Sequence, residues 1–177
     1  PLAFYANLAN PYMRFVNIQP GLRREEIAGK LQKVLGWDDK NVKAFLETAP
    51  SDERGFLDGY YAPGPYWINI KATGTEVAHM MLREFNNQVS EKVFGDSSIN
   101  PKNGKSSGSK TALKNADKIN LDTAVRIASL IQREAGSKSD MRVISGIIWN
   151  RLFRGMSLDI DATLQYAKGD EENWWPR

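Results

Sequence analysis

Residues 95–111, GDSSINPKNGKSSGSKT, carry almost nothing apolar and are rich in Gly, Ser, Lys and Asn. No hydrophobic core can be threaded through such a stretch. The stretch reads as a loop or linker, flexible over 95–118. The lysines in it suit a solvated connector better than an arm for a polyanion.

Before the connector the pattern mixes two periods. FVNIQPG (15–21) alternates β-branched and polar residues and closes on Pro-Gly, a short strand and turn. Ile27, Leu31, Val34 and Leu35 then recur at helical spacing, with Gly36 where a C-terminal cap belongs. Asp38 stands as the N-cap of a second helix carrying Val42, Phe45 and Leu46. YWINIK reads as another strand and TGTE as a capping box of Thr73 and Glu76. From there Ala78, Met81, Leu82, Phe85, Val89 and Val93 keep one helical face apolar as far as Gly95. Two strands framing two helices make a small module over residues 12–70.

After the connector the sequence is helical. Asn120 can cap a helix that runs to Glu134 or Ala135, with Gly136 as its stop. Ser139 can cap the next, in which Met141, Ile144, Ile147, Ile148 and Leu152 face inward up to Gly155. So short a link makes the two helices an antiparallel or angled pair with Glu134 at the lip of their shared groove. The fold class expected is α+β: a strand–helix–helix–strand module followed by a mainly helical domain.

Composition narrows the chemistry. Among 177 residues there is no cysteine and one histidine, His79, which removes disulfides, thiolate nucleophiles and multi-histidine metal sites. His79 itself reads as a helix surface residue. Lys plus Arg number 24 against Asp plus Glu 21, and a balance of +3 gives no argument for nucleic acid. No apolar run reaches the roughly 18 residues that span a bilayer. The opening PLAFYANLAN lacks the regions of a signal peptide. A start at Pro and an ending in NWWPR lead us to expect a fragment whose membrane or export segment lies outside it.

One acid is out of place. Counting back from Glu134 by three, four and seven residues gives Ile131, Leu130 and Ile127, so the carboxylate ends an apolar stripe. An ionised carboxylate against apolar side chains costs on the order of a few kcal/mol unless it is solvated, paired or protonated. Two readings are open. Glu134 frays into water or pairs with Arg133 or Arg142, or it is a general acid that keeps its proton because its surroundings are apolar. Periodicity does not choose between them.

The longer segment IASLIQREAGSKSDMRVISGIIWNRLFRGMSLDIDATLQYA (127–167) resembles the signature of the YceG-like family, the MltG-type endolytic murein transglycosylases. The shared elements are Ala128, Ser129, Leu130, Ile131, Glu134 and Ala135, then Asn150, Arg151 and Leu152, then Gly155, Met156, Leu158, Asp161, Thr163 and Tyr166. Upstream, LDGYYAPGPYW resembles a second family segment through Gly59, Tyr60, Pro63 and Tyr66. The departures are Asp58 for Glu, Gly64-Pro65 for Asp-Thr, Ala162 for Pro and Gln132 for a first Glu. None touches Glu134. Members of the family continue beyond the point where this chain ends, so its catalytic domain is expected to be incomplete at the C-terminus.

The resemblance implies a LysM-like subdomain over 1–70 and a catalytic domain over 71–177. It implies cleavage of the MurNAc–GlcNAc bond inside peptidoglycan glycan strands, leaving a 1,6-anhydro-MurNAc end. Glu134 would be the only enzymatic acid/base, with no cofactor and no metal. Substrate contacts would fall to Asn150, Arg151, Asp161, Thr163, Tyr166, Tyr60 and Tyr66. The implied partners are glycan strands and the cell-wall synthesis machinery. The implied location is the extracytoplasmic side of the cell membrane, through a single-pass helix upstream. Plainer roles stand beside these. Asn150 can tie two helices together, Arg151 can be a surface arginine, and Asp161 and Thr163 can cap a helix. Tyr60, Tyr61, Tyr66 and Trp67 can be core, and Trp174 and Trp175 can belong against a missing part of the protein. Two rival functions remain: a non-catalytic peptidoglycan-binding LysM-like module, and ordinary hydrolysis with Asp159 or Asp161 as the second carboxylate.

Overall fold

The computed structural model describes residues 10–49, 51–52, 55–56, 58–89, 121–170 and 172–176. The connector expected over 95–118 lies outside them, with Val93, Gly95 and the Asn120 cap. The chain forms two compact units, Pro1–Ala116 and Asp117–Arg177.

The first unit runs β1 (Met13–Ile18), α1 (Arg24–Leu35), α2 (Asp39–Glu47), a two-residue pair β2 (Ser51–Asp52) and β3 (Gly55–Phe56), β4 (Gly64–Asn69) and α3 (Gly74–Phe85). β1 and β4 pair antiparallel, with Val16 opposite Tyr66 and Phe15 opposite Trp67. The alternation of a strand then sorts side chains by face. Val16, Ile18, Tyr66 and Ile68 are buried, while Trp67 stays 45% exposed. Strand, helix, helix, strand is the order read from the sequence, and the fold is α+β, mostly helical with a small two-stranded antiparallel sheet. The β2–β3 pair has no counterpart in the sequence pattern.

The helix boundaries follow local chemistry. Gly36 adopts φ 70, and its N–H donates to the Gln32 carbonyl at 2.9 Å, closing α1. The Asp38 carboxylate accepts from the Asn41 N–H at 2.9 Å and opens α2. Thr73 and Glu76 form the capping box at α3, with the Thr73 N–H donating to Glu76 at 2.8 Å.

The α-helical part of α3 closes at Phe85, a π-helical turn carries it on over 86–89, and the remainder of the stretch expected up to Gly95 lies outside the described residues. Helix α3 also shares one core with the module before it, since Val77, Ala78 and Met81 are buried in the same cluster as Leu31, Phe45 and Ile68, while Phe85 is buried with its ring against that of Tyr60. The first compact unit therefore continues past residue 70, because the face that α2 presents is covered by α3.

Among the described residues the second unit has three helices, α4 (Leu121–Glu134), α5 (Lys138–Phe153) and α6 (Asp161–Lys168), and α4 packs against both others. Its buried residues are Val125, Ile127, Ile148 and Ala162. The cap of α5 is Ser137 rather than Ser139: its hydroxyl accepts from the Asp140 N–H at 3.4 Å. Gly136 is not left-handed, so α4 stops because Ser137 must be extended (φ −149) to cap its successor. Met141 and Ile144 are half-buried, but Ile147 and Leu152 are 51% and 41% exposed and do not face a core.

Candidate active-site cleft

Two turns in the second unit build one concavity. At the first, α4 ends on Glu134 and Ser137 starts α5. At the second, α5 closes on Gly155 (φ 64), whose N–H donates to the Leu152 carbonyl at 3.1 Å while the Met156 N–H donates to the Arg151 carbonyl at 2.9 Å. This doubled closure is the Schellman motif, and it turns the chain back so that residues beyond it return along α5. The result is a cleft of about 230 Å³. Ile144, Ile147, Ile148, Leu158 and Ile160 give it apolar walls, and Glu134, Arg151 and Asp159 are its polar members.

Glu134 sits on the rim of this cleft. The stripe that leads to it fades outward: Ile127 is buried, Leu130 and Ile131 are half-buried, and Glu134 is exposed. Neither Arg133 nor Arg142 pairs with it, and the Glu134 side chain makes no hydrogen bond or ion pair among the described residues. Arg133 instead lies over the Trp175 ring, 3.6 Å from its centre, and Trp175 lies 6.3 Å from the Tyr166 ring. Trp175 therefore has partners within its own unit. A carboxylate closing a helix also stands at the end where the helix dipole favours a cation. Nothing in local stability asks for an acid at position 134.

Of the residues expected to contact substrate, Arg151 is the one that lines the cleft. Its Nη1 donates to the Leu158 carbonyl at 2.5 Å and the Ser157 carbonyl at 3.4 Å, and lies 3.5 Å from a carboxylate oxygen of Asp159. Asn150 is exposed on α5, outside the cleft lining, and its side chain ties no helices together. The N-cap of α6 is Ile160, so neither Asp161 nor Thr163 caps that helix. Asp161 is its exposed first residue, and the Thr163 hydroxyl donates to the Ile160 carbonyl at 2.6 Å. Tyr166 is 45% exposed beside Trp175. Asp159, held at φ 48 and named from the sequence only as a second carboxylate for hydrolysis, lines the cleft, and so does Ile160, which sequence reasoning misses; its signal is the Gly155 stop, which folds the residues after it back over α5.

In the first unit Tyr66 is a core residue, not a binding surface. It is 7% exposed, and its hydroxyl donates to the Ala62 carbonyl at 2.6 Å. Burial first, then the nearby Glu84 carboxylate, pushes its phenol up to about 12. Tyr61 donates to the Phe45 carbonyl at 3.1 Å, and burial raises its phenol further. Tyr60 is half-buried with its ring 5.0 Å from that of Phe85. The exposed aromatic of the group is Trp67, paired with Phe15 at 5.1 Å on the outer face of the ribbon.

No three His, Asp or Glu side chains among the described residues are grouped so as to hold a metal ion. No helix among them is long and apolar enough to cross a membrane.

The family model described as the YceG-like family matches residues 2–175 of the chain. A protein of Bacillus subtilis (strain 168) named endolytic murein transglycosylase is 28% identical over 171 residues, covering 90% of this chain and 42% of that protein. A protein of the same name from Streptococcus pneumoniae serotype 2 (strain D39 / NCTC 7466) is 28% identical over 127 residues, covering 70% of this chain and 20% of that protein. The chain thus spans less than half the length of these relatives. No solved structure matches it.

Proposed function

The chain belongs to the YceG-like family, and from that membership we propose that it is the acid-bearing part of an endolytic murein transglycosylase, with Glu134 as general acid and base. The single observation that carries the assignment is Glu134 itself: a carboxylate without a counterion among the described residues, on the rim of a cleft walled by isoleucine and leucine. A glycan strand lying in that cleft would displace water from the carboxyl, and desolvation favours the neutral, proton-bearing form of such a group. Glu134 then protonates the oxygen between MurNAc and GlcNAc as the bond breaks. The resulting carboxylate takes the proton from the C6 hydroxyl of the muramoyl residue, whose oxygen closes on C1 to leave the 1,6-anhydro end. One enzymatic carboxyl performs both transfers, so the paired carboxylates of a hydrolase are unnecessary.

The strand–helix–helix–strand module, in this reading, is a LysM-like holder of glycan, and the protein works on the outer side of the cell membrane. The order of elements over 13–69 and the exposed Trp67 support the first statement. The names of the relatives support the second.

One observation favours a second reading, hydrolysis: Asp159 lines the same cleft as Glu134. Mass spectrometry of glycan strands digested with the protein separates the outcomes, with Glu134→Gln run alongside. Anhydro ends that vanish in the variant support the transglycosylase, reducing ends indicate hydrolysis, and intact strands with wild-type protein leave only binding.

A further inference from the structure

Arg151 is the charged member of the cleft with the largest set of bonds to its own fold. Its main chain closes α5, through the bond from the Met156 N–H at 2.9 Å. Its side chain then reaches past that turn to the carbonyls of Ser157 and Leu158, at 3.4 and 2.5 Å. Among the described residues no other hydrogen bond serves those two carbonyls. Asp159 comes next in a left-handed backbone (φ 48), with its carboxylate 3.5 Å from the same guanidinium and accepting from the Ser157 hydroxyl at 2.6 Å. A non-glycine residue at that φ costs on the order of 1 kcal/mol and persists where its surroundings hold it.

We infer that Arg151 is a positioning residue: its guanidinium bolts the 157–159 turn onto α5 and so fixes the cleft wall made by Leu158, Asp159 and Ile160, rather than gripping a carboxylate of the substrate. All three contacts are made by Nη1, whose N–H groups are held in the fixed plane of the guanidinium, whereas the ammonium of lysine turns freely on a flexible stem. The catalytic consequence rests on the proposed role of Glu134, because a wall displaced by about 1 Å misaligns the sugar against its acid, which is worth up to about a hundredfold in rate.

The test compares wild type, Arg151→Lys and Arg151→Met by two independent readouts. The first is backbone order at 156–160 from NMR relaxation without any glycan. The bolt predicts order parameters falling from about 0.85 to below about 0.6 in Arg151→Met, with partial recovery in Arg151→Lys, while α4 and α5 stay rigid. Unchanged order in both variants overturns it. The second is kcat and KM on glycan strands and on strands whose carboxyl groups have been reduced to alcohols. Positioning predicts that kcat falls about 10- to 100-fold in Arg151→Met with KM within about twofold, and by the same factor on both substrates. A KM increase at constant kcat that disappears on the reduced strands makes Arg151 a substrate ligand and overturns the inference. Glu134→Gln is carried in parallel: if it still cuts, the acid assignment fails, and the relaxation result continues to decide the bolt.

Discussion

The guanidinium of Arg133 lies 3.6 Å from the centre of the Trp175 ring, and this stacking engages the cation that stands next to Glu134 in the chain. Glu134 is left at the rim of its cleft with no ion pair among the described residues. A carboxylate that stabilises nothing in its own fold is available for chemistry.

Replacing that carboxylate should separate activity from stability. Glu134→Gln removes anhydro-end formation by at least about a hundredfold, the range general acid–base catalysis contributes. Its thermal midpoint stays equal to wild type or rises slightly, because the substitution removes a negative charge from the end of a helix where the dipole disfavours one. A loss of stability parallel to the loss of activity would make Glu134 a structural residue.

A second prediction concerns the contact between α2 and α3. A Cβ built on Gly74 would lie 2.0 Å from the Asn41 carbonyl oxygen and 2.7 Å from the Phe45 nitrogen, both of them backbone atoms that cannot swing aside. The Gly74 N–H also donates to the Asn41 side chain at 3.1 Å. Gly74→Ala is therefore expected to destabilise the first unit by about 3 kcal/mol, at the upper end of overpacking. Urea denaturation monitored by tryptophan fluorescence reads it, since Trp37 is buried in that unit.

At high pH the first unit should fail through its tyrosines. An unfolded phenol ionises near 10, and burial pushes Tyr66 up to about 12 and Tyr61 in the same direction. The folded value is the higher one, so the contribution is whole below about pH 10 and is lost as pH rises toward 12. Phenolate absorbance during an alkaline titration should show these two groups ionising late, together with unfolding, and Tyr66→Phe should weaken that part of the pH dependence.

The helix caps set the opposite slope in acid. The bond from the Asn41 N–H to Asp38, and that from the Thr73 N–H to Glu76, hold both carboxyls below the usual carboxylate range. Here the folded value is the lower one. The stabilisation is present above about pH 4 and disappears as pH falls through the lowered values. Glu76→Gln should flatten the acid limb of a plot of thermal midpoint against pH without moving its alkaline limb.

These residues also show what is readable in the sequence. Gly36, Asp38, Thr73, Glu76 and Gly155 announce the ends of their helices correctly, because a cap is a local negotiation between a side chain and the next few amides. Ser137 and Ser139 carry identical groups two residues apart, and the pattern selects the wrong one. Tyr66 is legible as an aromatic that either packs in the core or stacks on a sugar, and the choice depends on β1 crossing to meet β4 and on a carbonyl at Ala62. Arg151 can be read as a cation near the groove, but its acceptors lie in a turn whose path is set by Gly155 and Asp159 together. Tertiary geometry, not propensity, decides each of these.

Because Met13 and Asn69 face one another across the ribbon, the chain enters and leaves it side by side, the arrangement of a cassette that can be lifted from one protein into another. Helix α3 moves the scissors. Cutting after residue 70 would leave a raw oily scar where Val77, Ala78 and Met81 had completed the core around Phe45. The portable length runs through Phe85, and any graft that stops sooner should come out sticky and loosely folded.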